Sequence, residues 1–306
     1  MDRDVVKFNM LVNGLDFILN SICHLEKAYK KKDIEKELKY CLLHLSSGIE
    51  IVLKSRLYQE HWTYIFSDMN KANEKDLLKG NFKSVDSQTV NKRLSDLCHI
   101  EVTDEFKNNI KDLRKVRNRI EHFELKGNAL EYKEIANKAL KLFVDFMGEN
   151  YIEFVIGNDS NLNPKSEINK IQMLDNEEDS LLRDIILKDI IKEMSRIPDH
   201  KENALYLAKS ITYNKKAKGS TFKCPKCQEE LLICSKDKNS ICYYCGYEED
   251  YEKTLKDYFN NFIDGSDYIV YDCDYCEKKA ILRDKDESYK CFSCGVCMQE
   301  YSFKEE

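Results

Sequence analysis

Cys224-Pro225-Lys226-Cys227, then 14 residues, then Cys242-Tyr243-Tyr244-Cys245: this stretch decides the fold of the C-terminal third of the chain. A Cys-x-x-Cys turn aims two thiolates at one point about 2.3 Å from each sulfur. Two such turns on neighbouring hairpins complete a tetrahedron, the arrangement of a zinc ribbon. Shifted by 49 residues, the pattern returns without a gap as Cys273-Asp274-Tyr275-Cys276 and Cys291-Phe292-Ser293-Cys294. The repeat is thus defined by its candidate ligands. Four thiolates per site leave no open position for a substrate, so two structural Zn2+ ions are expected. Gly246 and Gly295 follow the second knuckle of each set, where a left-handed backbone is useful. Two disulfides per set are the alternative, which a reducing cytoplasm disfavours. Cys234 and Cys297 are left over, and Cys294-x-x-Cys297 is itself a knuckle spacing.

Ten of the 13 cysteines fall in residues 221–306, and that break marks a domain boundary. The same region holds 19 Asp and Glu against 12 Lys and Arg. An acidic module is a poor general phosphate binder, which argues for protein contact or target positioning over nucleic-acid binding. Tyr243, Tyr244, Tyr247, Tyr275 and Phe292 either stack on bases or, the blander reading, cover the small metal cores.

The whole chain of 306 residues carries a net charge of −6, 34% charged residues and a mean hydropathy of −0.59. No run reaches the roughly 18 apolar residues of a membrane span. The N-terminus lacks the layout of a secretory signal, so a cytoplasmic protein without membrane contact is expected. Ten glycines and three prolines are few for this length and favour long helices.

Upstream of the cysteines, helical spacing runs through Val5, Phe8, Leu11, Leu15, Ile18, Leu19 and Ile22, then from Asp33, read as an N-cap, to about Tyr58. Ser67–Gly80 reads as a loop. Further helices are expected over 86–98, 104–123 (capped by Thr103) and 132–147. The fold class is therefore mainly α: an antiparallel helical bundle over 1–155, a linker and helical connector over 156–220, and two small zinc ribbons over 221–250 and 268–303.

The helix over 104–123 contains Leu113-Arg114-Lys115-Val116-Arg117-Asn118-Arg119-Ile120-Glu121-His122-Phe123, a basic cluster closed by a histidine. Asn118 and His122 share a face at i, i+4; Arg117 and His122 are separated by about 140° around the axis. A histidine moves protons near neutral pH, and an arginine steadies charge on a phosphorane-like transition state. RNA brings its own nucleophile in the 2′-OH. The plain alternative is a solvated basic face. His44 and His99 stand isolated in the sequence.

Arg117-Asn118-Arg119-Ile120-Glu121-His122 resembles the Arg-x4-His motif of HEPN domains, with the polar residue favoured after the arginine present as Asn118. The stretch Gly48–Trp62 is also similar to bacterial HEPN-like proteins, and the resemblance covers about residues 1–155. It implies a metal-independent endoribonuclease of prokaryotic toxin or phage-defence type, acting on RNA as a homodimer whose two motifs face one cleft. Arg117 would hold the phosphate, His122 act as acid and base, Asn118 orient, and Glu50 face the cleft unless it merely pairs with Lys54. The ribbons would then choose a target or dock an antitoxin or trigger protein. Some HEPN domains are inactive, so a non-catalytic adaptor is the rival expectation.

Overall fold

The computed structural model describes residues 9–152, 177–215, 221–234, 239–262, 271–272, 279–283, 289–291 and 297–298. The chain divides into two compact units; among the described residues the first holds 9–151 and 177–204, the second 152 and 205–298.

The first unit is built on an antiparallel pair, α1 (Met10–Tyr29) and α2 (Ile34–Glu60). Leu15, Ile18, Ile22 and Leu25 of α1 and Leu38, Leu42, Leu45, Leu53 and Leu57 of α2 are fully buried. The pair closes tightly because glycines meet at the crossing. A Cβ on Gly48 would lie 2.8 Å from Ile18 Cδ1 and 3.0 Å from the Gly14 carbonyl, and one on Gly14 would lie 2.8 Å from Val52 Cγ2. Asp33 is the N-cap residue of α2, as its residue type suggests, but it sits in a left-handed conformation (φ 43°), and its backbone carbonyl rather than its side chain accepts from the first turn.

Helix α2 is the hub, touching α1, α4 (Ser87–Cys98), α5 (Asp104–His122) and α6 (Ala129–Met147). Asp86, Thr103 and Asn128 cap the last three with their side chains. The segment expected as a loop holds a short helix, α3 (Glu74–Lys79), capped by Asn73 and ended by Gly80 at φ 66°. It buries no residue, hence its silence in the apolar pattern. Arg93 of α4 holds the turn before it, its guanidinium donating to the carbonyls of Tyr64, Phe66 and Ser67.

Most of the expected linker lies outside the described residues. Helix α7 (Glu177–Met194), in the stretch read as a connector, packs against α1 and belongs to the first unit. A turn at Pro198–His200 leads into α8 (Lys201–Lys215). His200 is buried, with Nε2 3.0 Å from Asn137 Oδ1 and Nδ1 2.9 Å from Asn203 Nδ2. The Asn137 amide also donates to the Tyr29 hydroxyl, which bonds Asp199. A polar network thus ties α1 and α6 to this turn.

The second unit contains two four-stranded antiparallel sheets, β1-β2-β3-β4 and β5-β6-β7-β8, with α9 (Tyr251–Phe262) between them in sequence. Strands β1–β4 are Thr221–Phe222, Leu232–Ile233, Ser240–Cys242 and Glu248–Glu249. Strands β5–β8 are Tyr271–Asp272, Lys279–Arg283, Tyr289–Cys291 and Cys297–Met298. Their registers superpose on the 49-residue shift. Phe222 pairs Leu232 as Tyr271 pairs Ile281; Leu232 pairs Cys242 as Ile281 pairs Cys291; Ile241 pairs Glu248 as Lys290 pairs Cys297. No helix among the described residues is long and apolar enough to cross a membrane.

Candidate functional site

The clearest constellation is in the first sheet. The sulfurs of Cys224, Cys227, Cys242 and Cys245 all lie within 4.8 Å of one another. Cys224 Sγ is 3.5 Å from Cys245 Sγ, and Cys227 Sγ is 3.7 Å from Cys242 Sγ. A disulfide needs about 2.05 Å. The edge of a tetrahedron with bonds of about 2.3 Å is about 3.8 Å, so the spacing fits a metal centre.

The backbone shows how the two knuckles present these sulfurs. Gln228 N donates to Cys224 O and Gly246 N to Cys242 O, at 2.9 and 3.0 Å, so each knuckle closes four residues after its first cysteine. Both closing residues are left-handed, Gln228 at φ 65° and Gly246 at φ 69°. Gly246 was legible from its residue type; Gln228 carries no such signal.

The thiols compete for protons. Hydrogen bonds from Cys242 and Cys245 draw the Cys224 thiol down to about 2. Burial pushes the Cys227 thiol up to about 12. Cys242 and Cys245 are also held up, first by their hydrogen bonds to Cys224. A divalent cation at the centre of such a cluster would favour the thiolate form of all four cysteines.

In the second sheet, Cys291 is buried at the register position of Cys242. Cys273, Cys276 and Cys294 lie outside the described residues. Cys297 sits in β8 at the position of Glu248, which is exposed in the first sheet.

The second constellation is the outer face of α5. Phe106, Asn109, Leu113 and Val116 turn into the bundle. Arg114, Asn118, Glu121 and His122 follow one another at helical spacing on the outer side, with Arg117 at the edge of the buried face. Asn118 and His122 are exposed, and neither has a hydrogen-bond or ion-pair partner among the described residues. Arg117 is half-buried, its Nε donating to Glu121 Oε1 at 3.0 Å. His122 is the last residue of α5; beside it in sequence Phe123 is 82% exposed, and Leu130 at the start of α6 is 62% exposed.

Glu50 pairs with Lys54 at 2.6 Å, as its spacing allowed. It also lines a shallow groove with Ser87 of α4 and Arg114 of α5, floored by Ile49, Leu53, Val90 and Leu113. No hydrogen bond or ion pair joins it to Arg117, Asn118 or His122. Arg114, which donates to Ser87 Oγ at 2.9 Å, is the basic residue that shares its groove. From its residue type alone Arg114 had no role beyond its charge.

Comparison of the chain with protein-family models, with curated proteins and with solved structures returns no match.

Proposed function

We propose that the chain is a metal-independent endoribonuclease of toxin or phage-defence type, whose HEPN-like bundle cuts RNA and whose cysteine sheets are two structural zinc ribbons. The observation that carries the nuclease reading is the outer surface of α5, where Asn118 and His122 are exposed and unpartnered on one face and Arg117 flanks them about 140° around the axis from His122. In this reading His122 takes the proton of a 2′-OH while the new 2′-O–P bond forms. Arg117 steadies the charge on the equatorial oxygens. The P–O5′ bond breaks, the leaving oxygen is protonated, and a 2′,3′-cyclic phosphate and a 5′-OH remain. Phe123 and Leu130 supply apolar surface beside the motif for a second copy, which would bring a second His122 to the cleft.

The zinc reading is supported by the sulfur spacing in the first sheet and by the register that places Cys291 where Cys242 stands. Cys224, Cys227, Cys242 and Cys245 would hold one ion, and Cys273, Cys276, Cys291 and Cys294 the other. The acidic ribbons suit a protein target, trigger or antitoxin better than a phosphate backbone.

One observation favours a second reading, a non-catalytic adaptor: Arg117 already has a carboxylate partner in Glu121. The test is cleavage of total cellular RNA by the wild type and by His122→Ala with EDTA present. Cleavage by the wild type alone supports the nuclease. Cleavage by neither moves the assignment to the adaptor, and equal cleavage by both removes His122 from the proposed site.

A further inference from the structure

Away from the α5 face, the α1–α2 pair carries a half-buried cluster of two histidines and a carboxylate. Antiparallel packing brings His24 of α1 beside His44 of α2, ring centroids 5.3 Å apart and planes inclined by 54°. His24 Nδ1 is 2.6 Å from Glu37 Oε2. His44 Nδ1 is buried without a hydrogen-bond partner. The rings of Phe17 and Tyr40 wall the pair at 5.8 and 5.5 Å, and Lys39 lies over Tyr40. The His24 and Glu37 side chains keep 21% and 11% of their surface open, so the cluster is reachable from solvent.

The centroid spacing has a specific meaning. With metal–nitrogen bonds of about 2.0–2.1 Å, an imidazole centroid lies about 3.2 Å from the ion, so two rings on one tetrahedral ion have centroids about 5 Å apart. The Glu37 contact is the other half of the pattern. A ligating histidine commonly gives its second ring N–H to a carboxylate, which fixes its tautomer and raises its basicity. Among the described residues, only the four ribbon cysteines bring three or more ligand atoms within 4.8 Å. The histidine pair therefore offers two protein ligands, with water in the remaining positions.

We propose that His24 and His44 form a binding site for a divalent transition-metal ion of the Zn2+/Ni2+ class, with Glu37 orienting His24 from behind. Imidazole ligands select that class over Mg2+ or Ca2+. The site is of a different kind from the ribbons, which are closed by four thiolates, and it is independent of the nuclease reading.

The probe is Ni2+, added to zinc-loaded full-length protein and followed by calorimetry and by the histidine imidazole resonances. The wild type should bind one ion per chain and broaden two of the six histidines, His24 and His44. His24→Ala and His44→Ala should each lose that uptake, with far-UV circular dichroism checking the fold. Glu37→Gln keeps both ligands and should weaken binding about 10- to 100-fold. No uptake by the wild type, undiminished uptake by folded His24→Ala, or broadening confined to other histidines would each overturn the proposal. If the alanine variants do not fold, the Glu37→Gln affinity and the identity of the broadened resonances decide it.

Discussion

The two knuckles of the first ribbon set up a pair of opposite substitutions. Both close on a left-handed residue, but one uses glycine (Gly246) and the other glutamine (Gln228). A Cβ added at Gly246 meets no atom within 4 Å, so Gly246→Ala acts through the backbone alone. The left-handed region costs a residue with a Cβ roughly 1–2 kcal/mol. Restricting the unfolded chain returns roughly 0.4–1 kcal/mol, leaving a net loss of about 1 kcal/mol. Because a small zinc module folds as it binds, that loss appears in metal affinity, as a weakening of about fivefold. Gln228→Gly reverses the same balance and should tighten binding by up to about fivefold. The assay is competition against a chromophoric chelator, with the second ribbon as an internal reference. Gly246→Ala without effect, or Gln228→Gly weakening the site tenfold, would refute the knuckle geometry.

Cys224→Ser should remove one zinc equivalent per chain and unfold the first ribbon locally, read by metal analysis and proteolysis; unchanged zinc content would count against the ligand set. Gly48→Ala should destabilise the bundle by up to roughly 2 kcal/mol in urea unfolding, since overpacking of about 1–3 kcal/mol is set against a helix-propensity gain near 1 kcal/mol. A stabilised variant would mean that α1 and α2 do not cross closely at Gly14 and Gly48. His200 is held below its ordinary value of 6.5 by burial, against the opposing pull of Asp199. The unfolded chain therefore binds the proton more readily. The stability this group contributes is complete above about pH 6.5 and is lost as pH falls below it. In unfolding titrations from pH 7.5 to 5, His200→Gln should show a shallower loss than the wild type, and an equal slope would show that the buried ring does not titrate there.

The cluster of Cys224, Cys227, Cys242 and Cys245 was readable because a knuckle is local: two thiols separated by two residues meet within one turn of backbone. The helices with a long apolar face were readable for the same reason, and Thr103 caps α5 as its residue type suggests. What the sequence hid depends on partners distant along the chain. His44 looked isolated because its neighbour, His24, is 20 residues away and arrives only when α1 and α2 pack antiparallel. Helix α7 lies in the stretch read as a helical connector, but nothing local in that stretch shows that it packs on α1. Glu50 allowed two readings; it pairs with Lys54, and the groove it lines is shared with Arg114 rather than with Arg117 or His122.

The choice between nuclease and adaptor turns on how firmly Glu121 holds Arg117. Their side chains are 31% and 35% exposed, and they are spaced i, i+4 on the outside of a helix. Such pairs contribute roughly 0.3–0.5 kcal/mol, less than RT, so the guanidinium spends a good part of its time released. A charge-assisted bond to a phosphate contributes roughly 1.5–3 kcal/mol where water is excluded. Displacing Glu121 would therefore cost a phosphodiester ligand little. A buried pair would have reversed that order, since breaking one costs roughly 3–5 kcal/mol. The exposed Arg117–Glu121 bond thus does not lock the guanidinium away from a ligand, and by itself it does not decide against the catalytic reading proposed for α5.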